Sequence, residues 1–298
     1  MHNFLYRRVL YLKDISHWTR IGYGGKSTLA KEELIHPETN ERYLIKYPRE
    51  TKIGVSWEDI TEFIAAEIGR LLNLSMMDVE IVTRNGKRGC LLKNFIPKGV
   101  MNEEGGVLLR NLSGYDSLLN SKLSSYDLIQ YGFDFIKKLK FWEQIKPNFI
   151  EMNFFDILIG NQDRHPFNWM VLFKSMDDIE FSTIYDNGAS LGFRFDDVML
   201  KEYIENKTKL EKYMRNSKVK AGLFEKKQVK SKEMILYLKK HFFEESEVII
   251  KRITNFDFKE YENIIQQCEL LSRIQKQWLI TNLYYRSETI LKWYYGED

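Results

Sequence analysis

The sequence predicts an α+β chain of two lobes, a small strand-rich lobe over residues 1–97 and a larger helical lobe over residues 98–298. Three observations predict it. Short alternating apolar runs bounded by turn residues fill the first part of the chain, whereas amphipathic stretches at helical spacing dominate residues 195–298. Between them one polar break, Gly160-Asn161-Gln162-Asp163-Arg164-His165-Pro166-Phe167-Asn168, crowds an Asp, an Arg, a His and an Asn between dense apolar segments. Of 298 residues, 44% are hydrophobic and 14% aromatic, which is ample for a packed core.

Composition excludes several classes. With 29% charged residues and no apolar run near the roughly 18 needed to cross a bilayer, the chain is expected to have no membrane span. The N-terminus Met1-His2-Asn3-Phe4-Leu5-Tyr6-Arg7-Arg8 lacks a long apolar core followed by a small-residue cleavage site. A cytoplasmic location is therefore expected, with export as an effector without a signal peptide left open. Cys90 and Cys268 lie far apart, without the spacing of a zinc site or a disulfide framework. A formal net charge of +3 is too small to imply nucleic acid, and no aromatic-interleaved module accompanies the basic run from Lys207 to Lys232. That run reads first as a solvated face, with an acidic substrate, RNA or phosphoinositide headgroup as the alternative.

In the first lobe, Phe4 to Leu12 alternates weakly, and Thr28 to Ile35 and Glu41 to Tyr47 flank a turn at residues 36–40. Just before this hairpin, Gly22, Gly24 and Gly25 free the backbone to turn its N–H groups toward phosphate oxygens. Gly25-Lys26-Ser27 is not a Walker A loop, because Arg20 stands where that motif needs its first glycine. Lys46 closes the second strand, with apolar neighbours to hold its stem. Trp57 to Leu72 follows as a helix with Ile60, Phe63, Ile64, Ile68, Leu71 and Leu72 on one face and Glu62 on its flank. Asp78 to Thr83 and Arg88 to Phe95 form another hairpin around Asn85-Gly86. Its exit is the expected hinge, where the backbone of Leu92, Asn94 and Phe95 would hydrogen-bond an adenine edge.

Beyond the hinge, residues 97–121 read as irregular and residues 125–142 as one helix. Phe149 to Ile159 is a buried helix that Gly160 and Asn161 terminate. Trp169 to Phe173 and Ile179 to Tyr185 are strands of a hairpin, whose antiparallel pairing would set Asn168 beside Asp186, both facing the Asp163 loop. Two such oxygen donors beside a third carboxylate suit Mg²⁺ on nucleotide phosphates, with Asp163 accepting a hydroxyl proton. The helical end of the chain includes stretches at residues 233–241 and 272–293.

The segments GNQDRHPFNW and IYDNGASLG resemble the HipA-like serine/threonine kinases, and within them the compact CtkA-like branch, which share G-N-x-D-R-H-x-x-N and Y-D motifs. The resemblance implies a protein-kinase-like two-lobed fold and an ATP- and Mg²⁺-dependent kinase that phosphorylates Ser or Thr of a protein substrate and also itself. It implies Asp163 as the base, Asn168 and Asp186 as metal ligands, and a glycine-rich lid at Gly22, Gly24 and Gly25. Lys46 resembles the family's phosphate-binding lysine. Glu62-Phe63 matches its E-Y, making Glu62 the partner of Lys46, with Glu58 and Glu67 as substitutes. His165 would touch the γ-phosphate or brace the loop through hydrogen bonds. Ser27 and Thr28 are candidate autophosphorylation sites, and an antitoxin or other regulatory partner is implied.

Two rival readings remain. D-R-H-x-x-N also occurs in phosphatidylinositol 3- and 4-kinases, which would make the acceptor a lipid or small molecule. A catalytically silent nucleotide-binding scaffold is the other.

Overall fold

The computed structural model describes residues 12–23, 29–51, 54–116 and 122–296. Its fold is mixed α+β, with a curled sheet at the N-terminal end and a helical body. The strands of the N-terminal part are β1 (Lys13–Asp14), β2 (Thr19–Gly22), β3 (Lys31–Ile35), β4 (Arg42–Lys46), β5 (Glu50–Thr51), β6 (Gly54–Val55), β7 (Val79–Arg84) and β8 (Lys87–Lys93). Six of them form one sheet in the order β1-β7-β8-β4-β3-β2, antiparallel except for β1 against β7. Asn85 (φ 50°) and Gly86 (φ 74°) are both left-handed, the two-residue turn that matches strand twist and ties β7 to β8.

Period-two alternation decides which face of this sheet each residue uses. Leu34, Ile45, Val82 and Leu91 pack with Ile15 and Trp18 into a small outer core. The other face carries Val79, Ile81, Cys90 and Leu92, which join the main core against α1 (Glu58–Leu71). Lys46 follows Ile45, pairs in register with Cys90, and so points to the inner face beneath α1. The buried face of α1 is apolar at Ile60, Phe63, Ile64 and Ile68, yet Glu58, Asp59, Glu62 and Glu67 are buried as well.

In the larger part, the expectation of an irregular segment at 97–121 is corrected. β9 (Met101–Glu104) and α2 (Gly105–Arg110) lie there, and β9 pairs with β10 (Met170–Phe173), which pairs in turn with β11 (Ile179–Phe181). A Cβ on Gly105 or Gly106 would meet the rings of Trp169 and Phe167 at 2.1 and 2.5 Å, so the glycines that read as loop instead permit tight packing. The expected helix at 125–142 is two helices, α3 (Ser125–Ile136) and α4 (Trp142–Ile159). Between them the bonding tightens to three-residue spacing, Lys138 N–H to Phe135 O and Leu139 N–H to Ile136 O, both 3.0 Å.

The remaining helices are α5 (Asp197–Glu205), α6 (Lys207–Arg215), α7 (Ser231–His241), α8 (Phe243–Thr254), α9 (Phe258–Gln267) and α10 (Arg273–Tyr295). A two-residue ladder joins β12 (Lys218–Val219) to β13 (Val229–Lys230). Ser272 opens α10 with a capping box to Gln275. Trp278, Leu279, Leu283 and Ile290 of α10 are buried in the main core. Among the described residues, no helix is long and apolar enough to cross a membrane.

Candidate active site

The polar loop is built from the end of α4 outward. Gly160 takes left-handed backbone (φ 66°) and stops the helix. Asn161 then donates Nδ2–H to Asp156 Oδ1 (2.9 Å) and accepts the Asp163 N–H on Oδ1 (2.9 Å). Asp156 is buried and receives Arg164, with Nε 2.9 Å from Oδ2 and Nη2 3.1 Å from Oδ1. The same guanidinium, also fully buried, donates to the main-chain oxygens of Asn168 and Tyr185 and to Asn187 Oδ1. Arg164 thus uses its rigid donor fork to tie α4, the loop and the segment after β11 into one unit.

This brace corrects the expected basis for the Asn168–Asp186 juxtaposition. The β10–β11 ladder ends at Phe181, and Ile184 bonds instead across to the N-terminal part, its N–H to Ser75 O (2.8 Å) and its oxygen from Met77 N–H (3.0 Å). Asp186 is therefore carried toward Lys46, while Arg164 keeps residues 185–187 beside Asn168. Asn168 donates Nδ2–H to Asp163 O (2.9 Å), leaving its Oδ1 for the cleft it lines.

Lys46 Nζ lies 2.7 Å from Asp186 Oδ1. The expected Lys46–Glu62 pair is not formed by hydrogen bonding. Glu62 accepts the main-chain N–H groups of Asn187 (2.8 Å) and Gly188 (2.7 Å), so it anchors α1 to the backbone just beyond Asp186. The substitutes are engaged elsewhere: Glu58 accepts Arg49 N–H and Ser56 Oγ–H, and Glu67 pairs with Arg70. Gly188 has to be glycine here, because a Cβ would stand 2.8 Å from Glu58 O. Asp186 itself is left-handed (φ 59°), a conformation that Asp tolerates better than most residues.

Charge and burial set the protonation states. Burial opposes the Lys46 ammonium, but Asp186 and Glu62 outweigh it and hold its pKa above the ordinary value. Burial likewise opposes the Asp186 carboxylate, yet Lys46 and Arg164 keep it below the usual range. Glu62 is pushed up by burial, against the pull of Lys46. Burial lowers His165, favouring the neutral ring, and its Nδ1 is buried without a hydrogen-bond partner. The ring does not tie the loop through Nδ1; the bracing belongs to Arg164.

Lys220 completes the cluster, with Nζ 2.6 Å from Asp163 Oδ1. Ala221 (φ 61°) and Gly222 (φ 68°) are consecutive left-handed residues that turn the chain under the loop. There Gly222 N–H donates to Arg164 O (2.8 Å), and its oxygen accepts the indole N–H of Trp169 (2.8 Å). In the sequence Lys220 belongs to a basic run that reads first as a solvated face, since nothing local ties it to a loop 57 residues away.

Lys46, Glu62, Asp163, His165, Asn168 and Asp186 share one cleft of about 710 Å³. Its lining combines an apolar set, Leu44, Met77, Leu92, Phe95, Met170 and Tyr185, with a polar set, Lys46, Asp163, His165, Asn168 and Asp186. Lys31, opposite Lys46 in register, also lines it and was missed by the sequence. Asn94 does not line it: its N–H donates to Arg42 O (2.9 Å) and its Oδ1 accepts Ile96 N–H (3.0 Å). Nor does Gly22, which sits at a register shift of β2 against β3. Gly24, Gly25, Ser27 and Thr28 lie outside the described residues. Among the described residues, no group of three His, Cys, Asp or Glu side chains forms a closed metal site. Asn168 and Asp186, both lining the cleft, offer an amide and a carboxylate oxygen.

No family model matches the sequence. The serine/threonine-protein kinase CtkA of Helicobacter pylori is 26% identical over 195 residues, covering 62% of this chain and 57% of that protein. The match thus spans little more than half the length of that curated relative. The crystal structure of the H. pylori proinflammatory kinase CtkA superposes with a TM-score of 0.75 at 22% identity, over 96% of this chain and 98% of that one. The chain therefore shares the fold of CtkA. HipA of Shewanella oneidensis, solved with HipB and operator DNA, aligns at a TM-score of 0.54 and 13% identity, over 92% of this chain and 67% of that one.

Proposed function

We propose that this HipA/CtkA-like chain is an ATP- and Mg²⁺-dependent serine/threonine protein kinase that also phosphorylates itself. The observation that carries this reading is that Lys46, Asp163, Asn168 and Asp186 line one cleft together with an apolar set that includes Leu44, Met77, Leu92 and Phe95. The apolar set suits an adenine ring, with the main chain around Leu92 and Phe95 at its edge. Lys46 exchanges Asp186 for α/β-phosphate oxygens. Asn168 Oδ1 and Asp186 would hold Mg²⁺, a hard cation that their two oxygens suit. When bound, that ion neutralises charge on the transferring phosphoryl group.

Asp163 orients the acceptor. Lys220 occupies one of its carboxylate oxygens, leaving the other to take the proton from a Ser or Thr hydroxyl. The hydroxyl oxygen bonds to the γ-phosphorus, the bond to the β–γ bridging oxygen breaks, and ADP departs with that electron pair. By likeness to HipA, whose structure contains HipB, we extend the proposal to a regulatory partner protein.

Transfer from γ-labelled ATP tests the reading, with the native chain, Asp163→Ala and Asp186→Ala compared with Mg²⁺ and with EDTA. Label on the chain or on a generic protein, lost in both variants and in EDTA, is the expected result. Label on phosphoinositide vesicles with none on protein would move the acceptor to lipid.

A further inference from the structure

A second pocket of about 460 Å³ opens beside the catalytic loop and shares no lining residue with the cleft. Gly160 and Gln162 of the loop form one wall, with Lys209, Lys212, Lys218 and Arg286 around them, and no carboxylate lines it. Lys209 pairs with Glu202 outside the pocket. Among the described residues, Lys212, Lys218 and Arg286 have no carboxylate within ion-pair distance.

Arg286 is the telling group, because it is 4% exposed. Its Nη1 caps α4 through Ile157 O (3.0 Å), its Nε donates to Asn282 Oδ1 (3.2 Å), and the guanidinium lies over the Tyr213 ring at 5.4 Å. Its Nη2 has no protein acceptor among the described residues. A buried cation is costly unless a counter-charge accompanies it, and two exposed lysines lining the same pocket raise that cost further. An anion in the pocket removes it.

We propose that this pocket binds a phosphate group, free or as a phosphomonoester, through Arg286, Lys212 and Lys218. The phosphate class follows from three cations lining one pocket and the fixed fork of Arg286, which matches phosphate oxygens. Occupancy acts on the catalytic loop at two points. Gln228, also lining the pocket, donates to Gln162 O (3.3 Å), and Lys218 stands two residues before the Lys220 that holds Asp163. Its effect on the loop rests on the phosphotransfer reading, whereas the binding itself does not, and the test of binding needs no turnover.

Isothermal titration of the full chain with inorganic phosphate and with O-phospho-L-serine is the experiment. Saturable binding that weakens roughly tenfold or more in the Lys212→Gln/Lys218→Gln double variant, and is unchanged in Lys46→Ala, supports the site. Both lysines are exposed, so the double variant keeps the fold. Tighter binding of O-phospho-L-serine assigns an esterified phosphate, and tighter binding of inorganic phosphate a free one. Absence of saturable binding, or binding lost in Lys46→Ala and unaffected by the double variant, overturns the proposal.

Discussion

Lys46 at the end of β4 and Asp186 beyond β11 meet at 2.7 Å across the cleft, 140 residues apart in the chain. The Lys46 side chain is nearly covered, at 12% exposure, whereas that of Asp186 is 41% exposed. Both groups line the cleft.

Replacing Lys46 by Ala is expected to lower kcat/KM for ATP-dependent transfer by about 10²–10³ while leaving the melting temperature nearly unchanged, because the Asp186 side chain is partly exposed. Arginine should not rescue it, since the planar fork does not fit the space of a compact ammonium. Steady-state kinetics and thermal melts of Lys46→Ala and Lys46→Arg check both statements.

Glu62 should matter for stability as well as activity. In Glu62→Gln, one acceptor oxygen is replaced by an NH₂ that confronts the Asn187 or Gly188 N–H, leaving a buried donor unpaired. The expected loss is about 1–3 kcal/mol in urea unfolding, together with reduced transfer. A fully stable but inactive variant would instead favour direct support of Lys46.

His165 gives a pH signature. Its folded-state pKa lies below the ordinary 6.5, so the unfolded chain binds a proton that the folded ring resists. Its contribution is fully present above the unfolded value and is lost as pH falls below 6.5. The native melting temperature should therefore drop more steeply below that pH than that of His165→Gln, a difference read by parallel thermal melts.

Arg164 and Asp156 are predicted to be structural. Removing one member of this fully buried pair leaves an uncompensated charge, so Arg164→Ala should destabilise by about 3–5 kcal/mol and lose activity only through loss of the loop. Denaturant unfolding of Arg164→Ala decides it.

Lys220→Met should lower kcat by about 10²-fold with little change in KM for ATP, because Lys220 touches Asp163 and does not line the cleft. Equal effects on kcat and ATP affinity would show that it binds nucleotide instead.

By itself the sequence determined the α+β fold class and most of the secondary elements. Alternation in β7 and β8, the Asn85-Gly86 turn, the helical stripe of α1 and the Gly160 stop all follow from local rules of spacing and backbone freedom. It also supplied the loop from Asp163 to Asn168 as a dense set of polar residues between apolar segments. Tertiary structure alone decided which partners those residues take. Periodicity reports which face is buried, and it carries no information about which donor meets which acceptor across distant segments. Hence Glu62 bonds the backbone after Asp186, Arg164 supplies the brace, Lys220 reaches Asp163 from a run that reads as solvated, and β9 finds β10 from a glycine-rich stretch. Each is a pairing between groups far apart in the chain, formed only once the core has brought them within hydrogen-bond reach.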